Sequence, residues 1–139
     1  MTTGAAVTGC ETGPSENERL AQQLLPHAQT AFQQEEAARR IAGTGEATAE
    51  QELVLDQLAA ERGAHRTALT DEINRLHSPL ADQVRSEGRG GQTLDQLLSA
   101  VGTAGGAAAQ TAVELSGFPA GLLGSVGAAC LIFTEVHSA

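Results

Sequence analysis

The chain has no lysine, tryptophan or tyrosine, and only two of its 139 residues, Cys10 and Cys130, are cysteines. Two cysteines cannot build a disulfide-rich scaffold, and nothing in their placement requires them to pair. Phe32, Phe118 and Phe133 are the only aromatic side chains, too few for a base-stacking platform or a carbohydrate-binding face. Positive charge is scarce: eight arginines stand against seventeen acidic residues, a net charge of −9. That balance speaks against a nucleic-acid partner, which needs a basic patch to displace counterions, and against anionic lipid headgroups. Strand-like alternation is also missing, so no sheet is expected. Arginine without lysine, with abundant alanine and glycine, matches the codon usage of a GC-rich genome of the actinobacterial kind.

Leucine and alanine remain to build the core, at helical spacing. The pattern predicts an all-α protein, an antiparallel four-helix bundle spanning residues 15–139 as one domain behind a disordered segment 1–14. Ser15 with Glu18 three residues later opens the first helix, at about 15–42. Its stripe is Leu20, Leu24, Ala28, Ala31, Glu35, Ala38 and Ala42, with Pro26 as a kink point. Thr48 and Gln51 open the second, about 48–78, with Leu55, Leu58, Arg62, His65, Leu69, Ile73 and Leu76 on one face. Ser78-Pro79 ends it, and a polar connection follows whose flexible part is Ser86 to Gly91. The third helix is expected at about 93–116 and the fourth at about 119–137, starting at Pro119.

Charge is divided unevenly along this pattern. Residues 90–139 carry no arginine and only Asp95, Glu114 and Glu135 as acids. Helices so nearly uncharged are either buried or embedded in lipid. A membrane hairpin at 96–134 has the length for it, but residues 99–112 are mostly Gly, Ala, Ser and Thr, with no flanking positive charge and no aromatic belt. Close packing in a bundle is the better reading. The same small-residue faces also suit a homodimer.

Candidate chemistry centres on His65, which interrupts an apolar stripe. Glu61, Arg62 and Glu72 lie on the same helix, and Glu35 on the stripe of the first, so these five are expected to form a buried polar cluster. A metal site there is the functional alternative. Yet di-iron bundles use Glu-x-x-His, which this sequence lacks: Glu61 and His65 are four apart. No cofactor is therefore expected. His27 is expected to face solvent, and Cys130 to be an inert buried thiol. No Gly-x-Ser-x-Gly or phosphate-binding loop is present, so no catalytic residue is assigned.

"VTGC" at residues 7–10 has the form of a lipoprotein cleavage site. Two longer stretches carry a family likeness. "LAAERGAHRTALTDEINRL" (58–76) is similar to the "ASER-x-AH-x-x-AL-x-x-EI-x-R" helix of alanine-rich exported proteins and lipoproteins of mycobacteria and their relatives. "FPAGLLGSVGAACLIF" (118–133) resembles their "AGLLGSI-x-A-x-C" segment. The resemblance implies a ferritin-like bundle of uncharacterised activity, exported and tethered to the outer face of the cytoplasmic membrane. It implies Glu61, Arg62, His65, Leu69, Glu72 and Ile73 as a helix signature and Cys130 as the helix-4 cysteine. Cys10 is then the lipid-modified residue and residues 1–9 the tail of a signal peptide. The expected function is a non-enzymatic binding or interaction module, with a metal-dependent protein using Glu35, Glu61, His65 and Glu72 as the alternative.

Overall fold

The computed structural model describes residues 13–88 and 90–138, so the VTGC segment lies outside the described residues. Four helices make up the fold: α1 (Glu16–Gly43), α2 (Ala49–Ala81), α3 (Leu94–Ala112) and α4 (Gly117–His137). No strand occurs among the described residues.

Helix starts follow local hydrogen bonding. Thr48 with Gln51 and Thr93 with Gln96 form complete capping boxes, each satisfying two backbone donors. At Ser15 only half the box forms: its hydroxyl accepts from the Glu18 amide at 3.1 Å, while the Glu18 carboxylate accepts from Gln22. α1 runs through Pro26, which lies on an exposed face where solvent can reach the carbonyl that proline leaves unpaired. α2 breaks at His77 (φ −161°, ψ 89°), two residues before Pro79, and resumes to Ala81. The residue before a proline is pushed out of helical dihedrals, and here the displacement falls one residue earlier still.

Three boundaries differ from expectation. Ser78-Pro79 kinks α2 without ending it, and the helix runs on to Ala81. α3 ends at Ala112 rather than near Ser116, and α4 begins at Gly117, not at Pro119. Ser116 acts as the N-cap of α4, and Gly117 at φ +67° makes the reversal, a conformation that favours glycine.

α1 packs along α2, and α3 along α4; the two pairs meet through α1–α3 and α2–α4. The core is Leu24, Leu55, Leu58, Leu69, Ile73, Leu97, Val101 and Leu123 with small alanines between them. Each such leucine contributes about 1.5–3 kcal/mol relative to exposure. α3 and α4 approach most closely at Gly105 and Gly127, where a Cβ on either would stand 2.9 Å from the other's carbonyl oxygen. On either side of that crossing, Thr134 donates to the Leu98 carbonyl at 3.2 Å and Gly124 faces Ala112.

The connection between α2 and α3 is pinned to α1 over its first half. Gln29 donates to the Gln83 carbonyl at 2.9 Å, and Gln33 donates to Ser86 Oγ at 2.6 Å and to the Glu87 carbonyl at 3.3 Å. Val84 is buried, and the Arg85 guanidinium lies 5.8 Å from the centre of the Phe32 ring. The segment expected to be flexible from Ser86 onward is thus held through Glu87.

Candidate functional site

Helical periodicity turns Arg62 of α2 into the middle of the bundle, where it is 2% exposed, the largest of the fully buried side chains. Its three partners among the described residues are an amide, an imidazole and a thiol. Nε donates to Gln34 Oε1 of α1 at 2.8 Å; Nη1 donates to His65 Nδ1 at 2.8 Å and to Cys130 Sγ of α4 at 3.0 Å. One guanidinium therefore ties three helices together. A buried charge of this kind is tolerated because Nε and both hydrogens of Nη1 find acceptors.

The neighbours respond to it. Burial, and then the Arg62 charge, hold His65 down at about 4, so at neutral pH its Nδ1 is free to accept. The Nε2 tautomer then points its proton at Glu61 Oε1, 4.0 Å away. Burial raises Glu61 above the usual carboxylate range, partly offset by Arg62 and His137. Burial also pushes the Cys130 thiol up, more than Arg62 pulls it down. Cys130 is free and buried, the state expected of an inert thiol.

Glu35, Glu61, His65 and Glu72 do not converge. Glu35 follows Gln34 by one residue, about 100° around α1, and so faces the α1–α2 seam and not the centre. There it accepts from Arg66 Nε at 2.6 Å and from Arg39 Nη2 at 2.7 Å. Gly63 makes room for it: a Cβ at that position would lie 2.8 Å from Glu35 Oε2. Glu72 is held by Arg75 on its own helix, at 2.8 and 2.6 Å. Among the described residues no group of three His, Cys, Asp or Glu side chains is placed to hold a metal ion. The expected single cluster is three separate polar sites, because Arg66 and Arg39 claim Glu35 and Arg75 claims Glu72, while Glu61 stays beside His65.

His27 also departs from expectation. It is half-buried, 3.1 Å from Thr111 Oγ1 of α3, and burial followed by the Arg62 charge lowers its pKa. Sequence reasoning missed Gln34, although its position between Ala31 and Ala38, three and four residues away, places it on the buried stripe of α1.

No buried side-chain nitrogen or oxygen among the described residues is left without a hydrogen-bond partner. The groove between α1 and α3, about 510 Å³, is lined by neutral groups such as Thr30, Gln33, Gln34 and Thr103. No nucleophile–base pair lies in it.

The outward face of α4 is different in character. Phe118, Ile132 and Val136 are 66%, 64% and 63% exposed. Among the described residues α4 alone is long and apolar enough to cross a membrane, and 33% of its most apolar stretch is buried. Compared with protein-family models, with curated proteins and with solved structures, the chain finds no match in any of the three.

Proposed function

We propose that this chain is a non-enzymatic interaction module of the cell envelope: a ferritin-like, antiparallel bundle carried on a lipid attached to Cys10. The observation that carries the reading is the apolar outward face of α4. Large exposed apolar side chains gathered on one helix face mark a surface that meets something other than water. Around the buried centre, by contrast, no buried side-chain nitrogen or oxygen among the described residues lacks a hydrogen-bond partner. The order of the α3–α4 contacts, Leu98 with Thr134 and Ala112 with Gly124, supports the antiparallel arrangement. The bundle positions this face; the N-terminal tether sets where it is displayed.

The reading is tested in whole cells of the native host, with the gene's own upstream sequence retained. A photo-crosslinking residue at Ile132 or Val136 is expected to yield discrete adducts, and one at Leu53, an exposed apolar residue of α2, to yield none. Cys10→Ala is expected to release the protein from the membrane fraction. Equal crosslinking from all three positions would remove the interaction surface, and unchanged fractionation of Cys10→Ala would remove the tether.

A further inference from the structure

We infer that the outward face of α4 is built to receive α4 of a second copy of this chain, the two helices antiparallel about a two-fold axis at Ser125. The inference rests on the interaction-module reading and names its partner. Phe118, Gly121, Ser125, Ala128 and Ile132 are all exposed and recur at spacings of three and four, so they form one narrow stripe opposite the buried face. Their sizes read large, small, small, small, large, which is nearly palindromic. An isologous interface requires that when residue i meets residue j of the partner, j also meets i. A two-fold axis at Ser125 meets that condition. Phe118 lies over the partner's Ile132 at both ends, and Gly121 over the partner's Ala128. The small centre lets two backbones approach closely while the ends interdigitate.

Charge agrees with the same arrangement. The stripe is uncharged from Phe118 to Ile132, although the chain as a whole carries −9. The titratable groups near its ends are Glu114, Glu135 and His137. The pairing brings the partner's Glu135 to the start of α4, where Ser116 makes no side-chain cap bond and the first turn holds no acidic residue. A carboxylate there meets unpaired backbone N–H groups and the positive end of the helix dipole. The partner's His137 falls beside Glu114.

The test is sedimentation equilibrium of the full chain from roughly 1 μM to roughly 1 mM, the range suited to a single-helix seam. A monomer–dimer equilibrium is expected. Ser125→Glu sets two carboxylates against each other on the axis and is expected to weaken the dimer about tenfold or more, with the far-UV spectrum unchanged. Leu53→Glu, on α2, is expected to leave it unaltered. In a Cys10→Ser background, Ser125→Cys is expected to form a disulfide-linked dimer when oxidised glutathione is added as the two-electron oxidant. A chain that stays monomeric throughout, or a Ser125→Glu variant that dimerises as well as the parent, overturns the inference. If that monomer co-sediments with phosphatidylcholine vesicles, the face serves a membrane and only the second copy is lost. If it binds neither, and Ile132 gives no crosslink in cells, the interaction surface fails with it.

Discussion

Arg62 brings a charge to the centre of the bundle with acceptors but no carboxylate among its partners, so its solvation depends on each acceptor in turn. Gln34 supplies the one that Nε uses. Gln34→Leu fills the same space and leaves a charged donor unpaired, so equilibrium urea unfolding should show a loss of about 1–3 kcal/mol. Cys130 gives the complementary prediction. It is 1% exposed, and burial keeps it a thiol and not a thiolate. In a Cys10→Ser background an aromatic disulfide reagent should label it only as fast as the chain opens, and stoichiometrically in denaturant. Rapid labelling of the native protein would contradict the buried position. The helical stripe placed Arg62, His65 and Cys130 inward on sequence grounds alone. It did not place them against one another, nor give Gln34 a role. Periodicity states which face a residue is on; which side chain it meets depends on how two helices are rotated together.

At the scale of elements, α3 and α4 rely on backbone proximity more than on side-chain volume. Gly105 and Gly127 define the crossing, and carbonyl oxygens cannot swing aside as side chains do. Gly105→Ala should therefore destabilise by about 1–3 kcal/mol in spite of alanine's better helix propensity. Gly106→Ala, one residue on, meets nothing within 4 Å and should stabilise by up to about 1 kcal/mol. Thermal melts of the two variants shifting in the same direction would refute the assignment of the seam. All four helices were legible from spacing and caps, because Thr48 with Gln51 is a local signal that tertiary packing does not override. The α3–α4 boundary was not. Val113, Glu114 and Leu115 continue a helical pattern, and only the capping position of Ser116 with the left-handed Gly117 stops it. Abundant small residues pointed to close packing of the last two helices but not to the residues that meet. The close approach pairs Gly105 with Gly127, since several spacings fit a glycine-rich helix and packing selects one.

Across the whole molecule, the polar links that join the α1–α2 pair to the α3–α4 pair among the described residues both involve histidine. His27 reaches Thr111, and the Arg62–Cys130 contact has His65 on the same guanidinium nitrogen. Burial lowers both histidines, His65 from 6.5 to about 4. Between those two values the unfolded chain binds a proton at His65 that the folded chain does not, so stability is fully present above about pH 7 and falls with pH through this window. It levels off once the folded form also protonates. For His65 alone the loss is of order 3 kcal/mol, taking about 1.4 kcal/mol per pKa unit. Protonation also removes the acceptor that Nδ1 gives Arg62 and sets two positive charges side by side. Glu61 is the carboxylate placed to offset them, and its own raised pKa means that it too takes up protons as the pH falls. The apolar contacts within each pair are kept through this change, because the leucines, alanines and glycines that make them carry no ionisable group. The expected acid state therefore keeps its far-UV helical signal while the two pairs loosen and bind a hydrophobic dye. His65→Asn keeps an acceptor for Arg62 without the titration. Its urea-unfolding free energy should vary less between pH 7.5 and pH 4.5 than the parent's, and dye binding should begin at lower pH. A variant that tracks the parent across that range would show that the link between the two pairs does not depend on His65.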